Sequence, residues 1–414
     1  MAPKEKRALY GPAAHADEVG ELPGPFPRTM GPNCAKYVQE VVDSGLQCDM
    51  GSRFEKAFAE ALGVKHCVAT PGCTPALAVL AAAFGFEPGD EIIVSPITDY
   101  GTIQGLVREN LIPVFADTMP GSVNLGAETV EACITDRTRG VLCVHKTGIV
   151  CDMDPINALA EKHGLVVYED ACQAVFSEYK GRIAGTLGLA AGFSFDSEKT
   201  MGSDVGGCVV TDDDDLNEQL RFIGQSRGAV QREGFGRLHT VAGYAHRITQ
   251  TTAGICLGQL EIIRDQVVQR DKMARLLTDL MAEIPGITPL PIPDDTIVYS
   301  CWMMGMNVDP DAFTCTPDEF AAQLAETGLT GAGMGKYYLL SEACTFLHDG
   351  AAAKTYPFSM PPASREYDYL SMCPRAKEFL TTFIRWSSFC EKYTEQHCEL
   401  AASIIRTVAD RNRR

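Results

Sequence analysis

The sequence predicts an α/β protein: a large domain with a mostly parallel central sheet, followed by a smaller α+β domain. Two observations carry that expectation. From residue 51 onward, short apolar runs alternate with amphipathic stretches of helical period, the pattern of strands joined by crossover helices. Past about residue 262 the alternation stops, and a long helical stretch, a few strands and a terminal helix replace it. The 414 residues also exceed what one hydrophobic core usually holds. The chain divides accordingly into an extended arm over 1–32, a large domain over 33–262 and a small domain over 263–414.

In chain order, the opening is broken by "GPAA", "LPGPFP" and "GPN", which interrupt any regular element, so it reads as an arm draped over the rest. The helical stretch "GSRFEKAFAEALG" follows. "HCVAT", "EIIVSP", "IPVFAD", "GVLCVH", "LVVYED", "GFSF" and "GCVVT" are the expected strands, with helices such as "TPALAVLAAAFG" and "DPINALAEKHG" between them. The "TDDDDL" run is a solvated helix start, where acids suit the helix dipole. The small domain opens with "LEIIRDQVVQRDKMARLLTDLMAEIPG", passes through strands near "TIVYSCWMMGMNV" and closes on "EKYTEQHCELAASIIRTVADR".

Bulk composition narrows the class. With 36 Lys and Arg against 54 Asp and Glu the net charge is −18, and no basic block is present, which argues against a nucleic-acid surface. No run approaches the roughly 18 apolar residues of a membrane span, and the first residues lack a secretion signal's apolar core, so a cytoplasmic protein is expected. The 16 cysteines show no C-x-x-C pair and no zinc-type spacing, which points to reduced thiols and no resident metal. Most, such as Cys143 and Cys208, sit in apolar runs as small core residues. Cys73, in a turn, stands apart.

Three places could carry chemistry. "GLVVYEDACQA" is an apolar strand ending in Glu169 and Asp170, and ligands of open α/β sheets bind beyond such carboxyl ends. Read alone, this acid pair is better taken as supplying a cap for a following helix. "VATPGCTPALAVLAAA" is a strand, a Gly72-Cys73-Thr74 turn and a helix, which aims free N–H groups and a hydroxyl at one point, although any βα turn has some of this character. Lys199 in "FSFDSEKTMGSDVGG" follows another strand, and a single lysine is by default a surface cation. Together, an amine, a carboxylate and an anion nest are what pyridoxal 5'-phosphate requires: a Schiff-base lysine, a partner for the pyridinium nitrogen and a phosphate cradle. Desolvation and a cationic cofactor are expected to lower the pKa of Lys199.

The motifs "VHKTGIVCDMDPINALAEKHGLVVYEDACQA", "EYKGRIAGTLG" and "FSFDSEKTMGSDVGGCVVTDDDDL", in this order and spacing, resemble the DegT/DnrJ/EryC1/StrS family of PLP-dependent aminotransferases, fold type I. The likeness covers about half of the chain. It implies Lys199 and Asp170 as the catalytic pair, Gln173 near the cofactor's phenolic oxygen, and Cys73, Thr74 and Ser194 around the phosphate. Where the family often stacks an aromatic ring on the cofactor, this chain has Asp99 with Tyr100 beside it, and Tyr100 is taken as the replacement. Val175 stands where a histidine is common. "GYAHRI" replaces Gly-Tyr-Asn-Tyr-Arg, so Ala245 lacks the amide that reaches a second subunit, and His246 or Arg247 is left to compensate. His145 and Lys146 end another strand on the crevice side and read equally as structural or as substrate contacts. Lys336 and Tyr337, with Tyr338, resemble the family's C-terminal substrate loop, or are packing residues at a strand edge.

The resemblance implies a homodimer with shared active sites, moving an amino group from glutamate or glutamine to the ketone of a sugar or cyclitol. Two other readings are weighed against it. The departures at Asp99, Val175 and Ala245 suit a PLP-dependent dehydratase or deaminase, whereas sugar dehydratases resembling the family usually replace the lysine by histidine. A PLP-binding sensor without turnover has no need of a base above the cofactor.

Overall fold

The computed structural model describes residues 21–225, 241–334, 339–349, 356–363 and 365–414. The seven apolar runs form one sheet: β1 (His66–Thr70), β2 (Glu91–Val94), β3 (Ile112–Phe115), β4 (Thr138–Val144), β5 (Val166–Asp170), and, after a small hairpin of β6 (Glu178–Tyr179) and β7 (Arg182–Ile183), β8 (Ala190–Ser194) and β9 (Gly207–Thr211). Their order is β1-β9-β8-β5-β4-β2-β3. The pairings β8-β5-β4-β2-β3 are parallel, and β9 runs antiparallel to both β1 and β8. Both faces are covered by helices, so the strands are apolar along their length and do not alternate.

Helix ends follow local chemistry. Met50–Leu62 starts on Asp49, which accepts from Ser52 N–H, and stops at Gly63 in the left-handed region (φ 77°). In the acidic run, Asp213 accepts from Leu216 N–H at 2.7 Å and so opens Asp214–Gln225. The terminal helix Glu395–Asn412 begins several residues later than the pattern alone suggests, because Thr394 and His397 close a capping box.

The long helical stretch past residue 262 is Ile263–Ala282, separated from the preceding Gln250–Leu260 by a break at Glu261 and Ile262. A four-stranded antiparallel sheet follows, ordered β10 (Ile287–Pro289), β12 (Met304–Val308), β14 (Phe383–Trp386), β13 (Ala332–Met334). The run near which a few strands are expected is divided between sheets: β11 (Thr296–Val298) pairs with β6, while β12 joins the small sheet. The division falls at Ser300–Met303, where Cys301 takes a positive φ of 43° and Trp302 N–H donates to the Thr147 carbonyl at 2.8 Å. Among the described residues no helix is long and apolar enough to cross a membrane.

Candidate active site

The sheet order sets one end of the fold apart. Thr70 and Ser194 both pair with Gly207, and Asp170 pairs with Gly192, so β1, β8 and β5 end side by side where β9 begins. A cavity of about 530 Å3 opens there, lined by Gly72, Cys73, Thr74, Asp99, Thr102, Asp170, Cys172, Ser194, Lys199 and Trp302 among others. The chain thus brings Lys199, Asp170, Cys73, Thr74 and Ser194 to one place.

Asp170 is 2% exposed and held from two sides. Thr102 Oγ1 donates to its Oδ2 at 2.8 Å, and Cys172 N–H donates to its Oδ1 at 3.1 Å. Thr98 stands 2.7 Å behind Thr102, hydroxyl to hydroxyl. Since Thr102 gives its proton to the carboxylate, Thr98 is the donor of that second bond. No helix follows β5; turns do, so Asp170 is not a helix cap. Its neighbour Glu169 faces the opposite side and is fully buried, accepting from the N–H groups of Gly185, Leu187 and Gly188 and meeting His145 Nε2 at 2.7 Å. Alternation along the strand separates the two acids into one structural and one cavity-facing group.

Lys199 lies in the loop between β8 and β9, which is closed at its base by Phe195 N–H to Gly206 O at 2.8 Å. Its Nζ sits 4.2 Å from the centroid of the Trp302 ring, whose indole N–H donates to the Glu198 carbonyl at 2.8 Å. The loop's other side is held by the N-terminal arm. Arg28 donates to the carbonyls of Ser197, Lys199 and Thr200 at 2.7, 2.6 and 3.0 Å. Gly202 leaves it room, since a Cβ there would lie 2.8 Å from the guanidinium carbon. Arg28→Ala removes three carbonyl partners at once. The variant is expected to lose roughly 1–3 kcal/mol of stability, as partly buried acceptors lose a charged donor, and to slow covalent capture of an aldehyde at Lys199, measured by borohydride fixation.

Burial pulls the Lys199 ammonium towards its neutral form, but its charge interactions with Cys172, Asp170, Cys73 and Asp196 outweigh this and hold its pKa above the ordinary lysine value. The lowering expected from sequence is therefore not built into the protein's own groups. Hydrogen bonding to Cys172 and burial, with the nearby Asp170, push the Cys73 thiol well up, so it stays protonated at neutral pH.

The turn after β1 forms an anion cradle. Helix Cys73–Ala83 starts from an extended Gly72 with no side-chain cap, and Pro75 has no N–H to offer, which leaves the Cys73 and Thr74 N–H groups as the first donors. The Thr74 and Ser194 hydroxyls line the same wall. Gly207 makes the approach possible: a Cβ there would lie 2.4 Å from Gly72 C and 2.6 Å from Cys73 N, both backbone atoms. Gly207→Ala should cost at least roughly 1–3 kcal/mol and weaken phosphate binding, read by urea unfolding and by titration with inorganic phosphate.

The other expected residues fall elsewhere. Gln173 is 3% exposed and accepts from Thr147 N–H at 2.8 Å, outside the cavity wall. Tyr100 is 44% exposed and meets Phe346 edge-on, while Asp99 takes the place on the wall. His145 is fully buried between Glu169 and the Cys151 N–H, so both ring nitrogens are committed to structure. Lys146 is buried, with Nζ 6.0 Å from the centroid of the Trp302 ring, and burial drives its pKa well down. His246 stacks on Tyr244 at 4.7 Å and Arg247 is exposed, both off the cavity. Lys336, Tyr337 and Tyr338 lie outside the described residues. Arg28, Thr102, Cys172 and Trp302 complete the site without having been expected there.

An amine, a fixed carboxylate and an uncapped helix end with two hydroxyls, all facing one cavity, fit the chemistry of pyridoxal 5'-phosphate, and Gly207 keeps the phosphate end open. Comparison with known proteins points the same way. GDP-perosamine synthase of Caulobacter vibrioides is 34% identical over 297 residues, 71% of this chain and 79% of that protein. A putative L-glutamine:3-amino-2,3-dideoxy-scyllo-inosose aminotransferase of Micromonospora echinospora is 33% identical over 295 residues, 69% of each. The crystal structure of 3-amino-5-hydroxybenzoic acid synthase superposes with a TM-score of 0.83 over 94% of this chain and all of that one, at 23% identity, which speaks for the fold. It is the fold type I architecture that the resemblance implied. The sequence model of the family matches residues 29–366, a span that takes in Lys199, Asp170 and the cradle, and with it the chain belongs to the DegT/DnrJ/EryC1/StrS aminotransferase family.

Proposed function

We propose that this chain holds pyridoxal 5'-phosphate in the cavity and moves an amino group from glutamine or glutamate to the ketone of a sugar or cyclitol. The observation that carries the reading is the meeting of Lys199, Asp170 and the open helix end in one cavity. The named relatives support the acceptor class, and the Micromonospora relative's name supports glutamine as donor. When bound, the cofactor supplies an aldehyde carbon for an amine and a ring that draws electrons from the substrate's breaking C–H bond.

The rest falls to the protein. Cys73 and Thr74 N–H groups, with the Thr74 and Ser194 hydroxyls, hold the phosphate and so fix the ring in the crevice. Asp170, kept as an oriented acceptor by Thr102 and Cys172, would hold a proton on the ring nitrogen. Lys199 would hold the cofactor through Nζ, and the same amine would carry the proton to and from the substrate carbon. Trp302 stands against Lys199, its ring centroid 4.2 Å from Nζ, and so fixes where the amine sits in the cavity. We further propose that the assembly is a homodimer; the exposed stretch carrying His246 and Arg247 is where the family resemblance places the second subunit.

The test is the visible spectrum of the chain with the cofactor, before and after L-glutamine or L-glutamate, then with nucleotide-linked keto sugars and cyclitol ketones. The reading expects the donor to bleach the cofactor's colour, the ketone to restore it, and an aminated product. A donor-insensitive spectrum, or release of water or ammonia without an aminated product, overturns it.

A further inference from the structure

We propose that the cofactor-free chain carries a three-donor site for a thiophilic divalent cation of the zinc and cadmium class, formed by Cys73 Sγ, Cys172 Sγ and Asp170, and that filling it excludes the cofactor. The exclusion rests on the cofactor reading above; the cation site does not.

The three donor atoms all lie within 4.8 Å of one another, and among the described residues they are the one group of three or more His, Cys, Asp or Glu so placed. Sequence spacing hides it, since Cys73 starts the helix after β1 and Cys172 lies two residues beyond β5. All three residues line the cavity, so an ion and its waters can reach them. Five of the chain's cysteines are not fully buried, and two of those five face this one space. Asp170 is already turned for the task. Thr102 occupies Oδ2, while Oδ1 faces the sulfurs and accepts from the Cys73 thiol at 3.8 Å. That shared hydrogen marks where a shared cation would sit.

Two sulfurs and one oxygen select a soft d10 ion over magnesium or calcium, and a water completes four-coordination. Binding exchanges the cation for two protons: each thiol releases one to solvent as its sulfur takes up the metal. The three anionic donors then exceed the cation's charge by one, and the Lys199 ammonium in the same cavity offsets the excess. With Asp170 bound to the metal, its carboxylate can no longer serve a ring nitrogen, and the ion stands where the ring must enter.

Cadmium is titrated into the cofactor-free full chain and into Cys73→Ser, Cys172→Ser and Cys315→Ser, following sulfur-to-cadmium charge-transfer absorption in the ultraviolet. Cys315 is also partly exposed but lies off the cavity. One tight equivalent is expected in wild type and Cys315→Ser, weakened at least about a hundredfold in the two cavity variants, because losing a ligand should cost no less than losing an outer-shell partner. Equal titrations in all four chains, or no tight equivalent in wild type, overturn the site. Should one serine variant fail to fold, the corresponding alanine variant takes its place. Borohydride trapping of pyridoxal phosphate is then run with and without prior cadmium. A fall of at least about tenfold, restored by a chelator, supports exclusion, and undiminished trapping with cadmium bound overturns it. Failure of the metal-free chain to trap any cofactor would count against the cofactor reading, while the cadmium absorption would stand by itself.

Discussion

Lys199→Ala should abolish covalent capture of pyridoxal phosphate and lower turnover by more than about 10³-fold. A general acid–base group alone is worth roughly 10²–10⁴, and the covalent attachment is lost as well. The physical reason is local. Among the described residues that line the cavity, Lys199 is the one lysine, and Lys146, whose amine lies 6.0 Å from the Trp302 ring centroid, is not part of the wall. The variant should fold, because the contact it gives up, the Lys199 amine on the Trp302 ring, is worth about 0.5–2 kcal/mol. Borohydride fixation followed by peptide mapping is the direct check: label on the peptide containing residue 199 in wild type, none in the variant. Label surviving in Lys199→Ala would assign the chemistry to another amine, with Lys146 the first to examine. Lys199→Arg keeps the charge over Trp302 and should be equally inactive, which separates loss of the nucleophile from loss of the contact.

How much of this was legible beforehand differs by residue, and the reasons are physical. Ser194 was read from the family resemblance alone, whereas Asp170 and the Gly72-Cys73-Thr74 turn were readable because each ends or follows an apolar run, and strand ends of an α/β sheet converge on one edge. Lys199 was readable for the same reason. Arg28 was not. Its acceptors are the carbonyls of Ser197, Lys199 and Thr200, and backbone carbonyls leave no mark on a sequence. The arm could be seen to drape over something, but not over what. Trp302 arrives from the junction where β11 and β12 part company, and that junction depends on the positive φ at Cys301 and a bond to Thr147, neither of which follows from apolar periodicity. Its being one of only two tryptophans was the available signal. Tyr100 was chosen for its ring, yet the turn ahead of helix Gly101–Arg108 directs Asp99 to the cavity, with Oδ1 accepting from Gly101 N–H at 3.0 Å. The nearness of Cys73 to Cys172 follows from strand order, in which two strands lie between β1 and β5. No spacing rule contains that order.

Asp170→Asn should separate two processes that a merely structural residue would affect alike. Turnover is expected to fall by about 10²–10⁴-fold, because the amide cannot hold a proton on the ring nitrogen as a carboxylate does. Capture of the cofactor aldehyde should move in the opposite direction. Burial lowers the Lys199 pKa, while Cys172 and then Asp170 are the foremost groups raising it, and the balance stands above the ordinary value. Only the neutral amine attacks an aldehyde, so below that pKa the capture rate should rise about tenfold for each pH unit. Removing the Asp170 charge lowers the amine's pKa and shifts the whole profile to lower pH, so at a fixed neutral pH the variant should capture faster than wild type. Asparagine can keep its oxygen for the Cys172 N–H, while its NH2 replaces Oδ2, so the Thr102 hydroxyl must turn round, accepting from the amide and donating to Thr98. Stopped-flow capture across the pH range, beside steady-state turnover on the same preparations, decides the matter. A profile that stays in place while turnover falls would mean that Asp170 acts on the bound ring alone and that the Lys199 amine is set by other neighbours, Cys172 first. A profile that shifts while turnover holds would remove Asp170 from the chemistry and leave it as part of the field around Lys199.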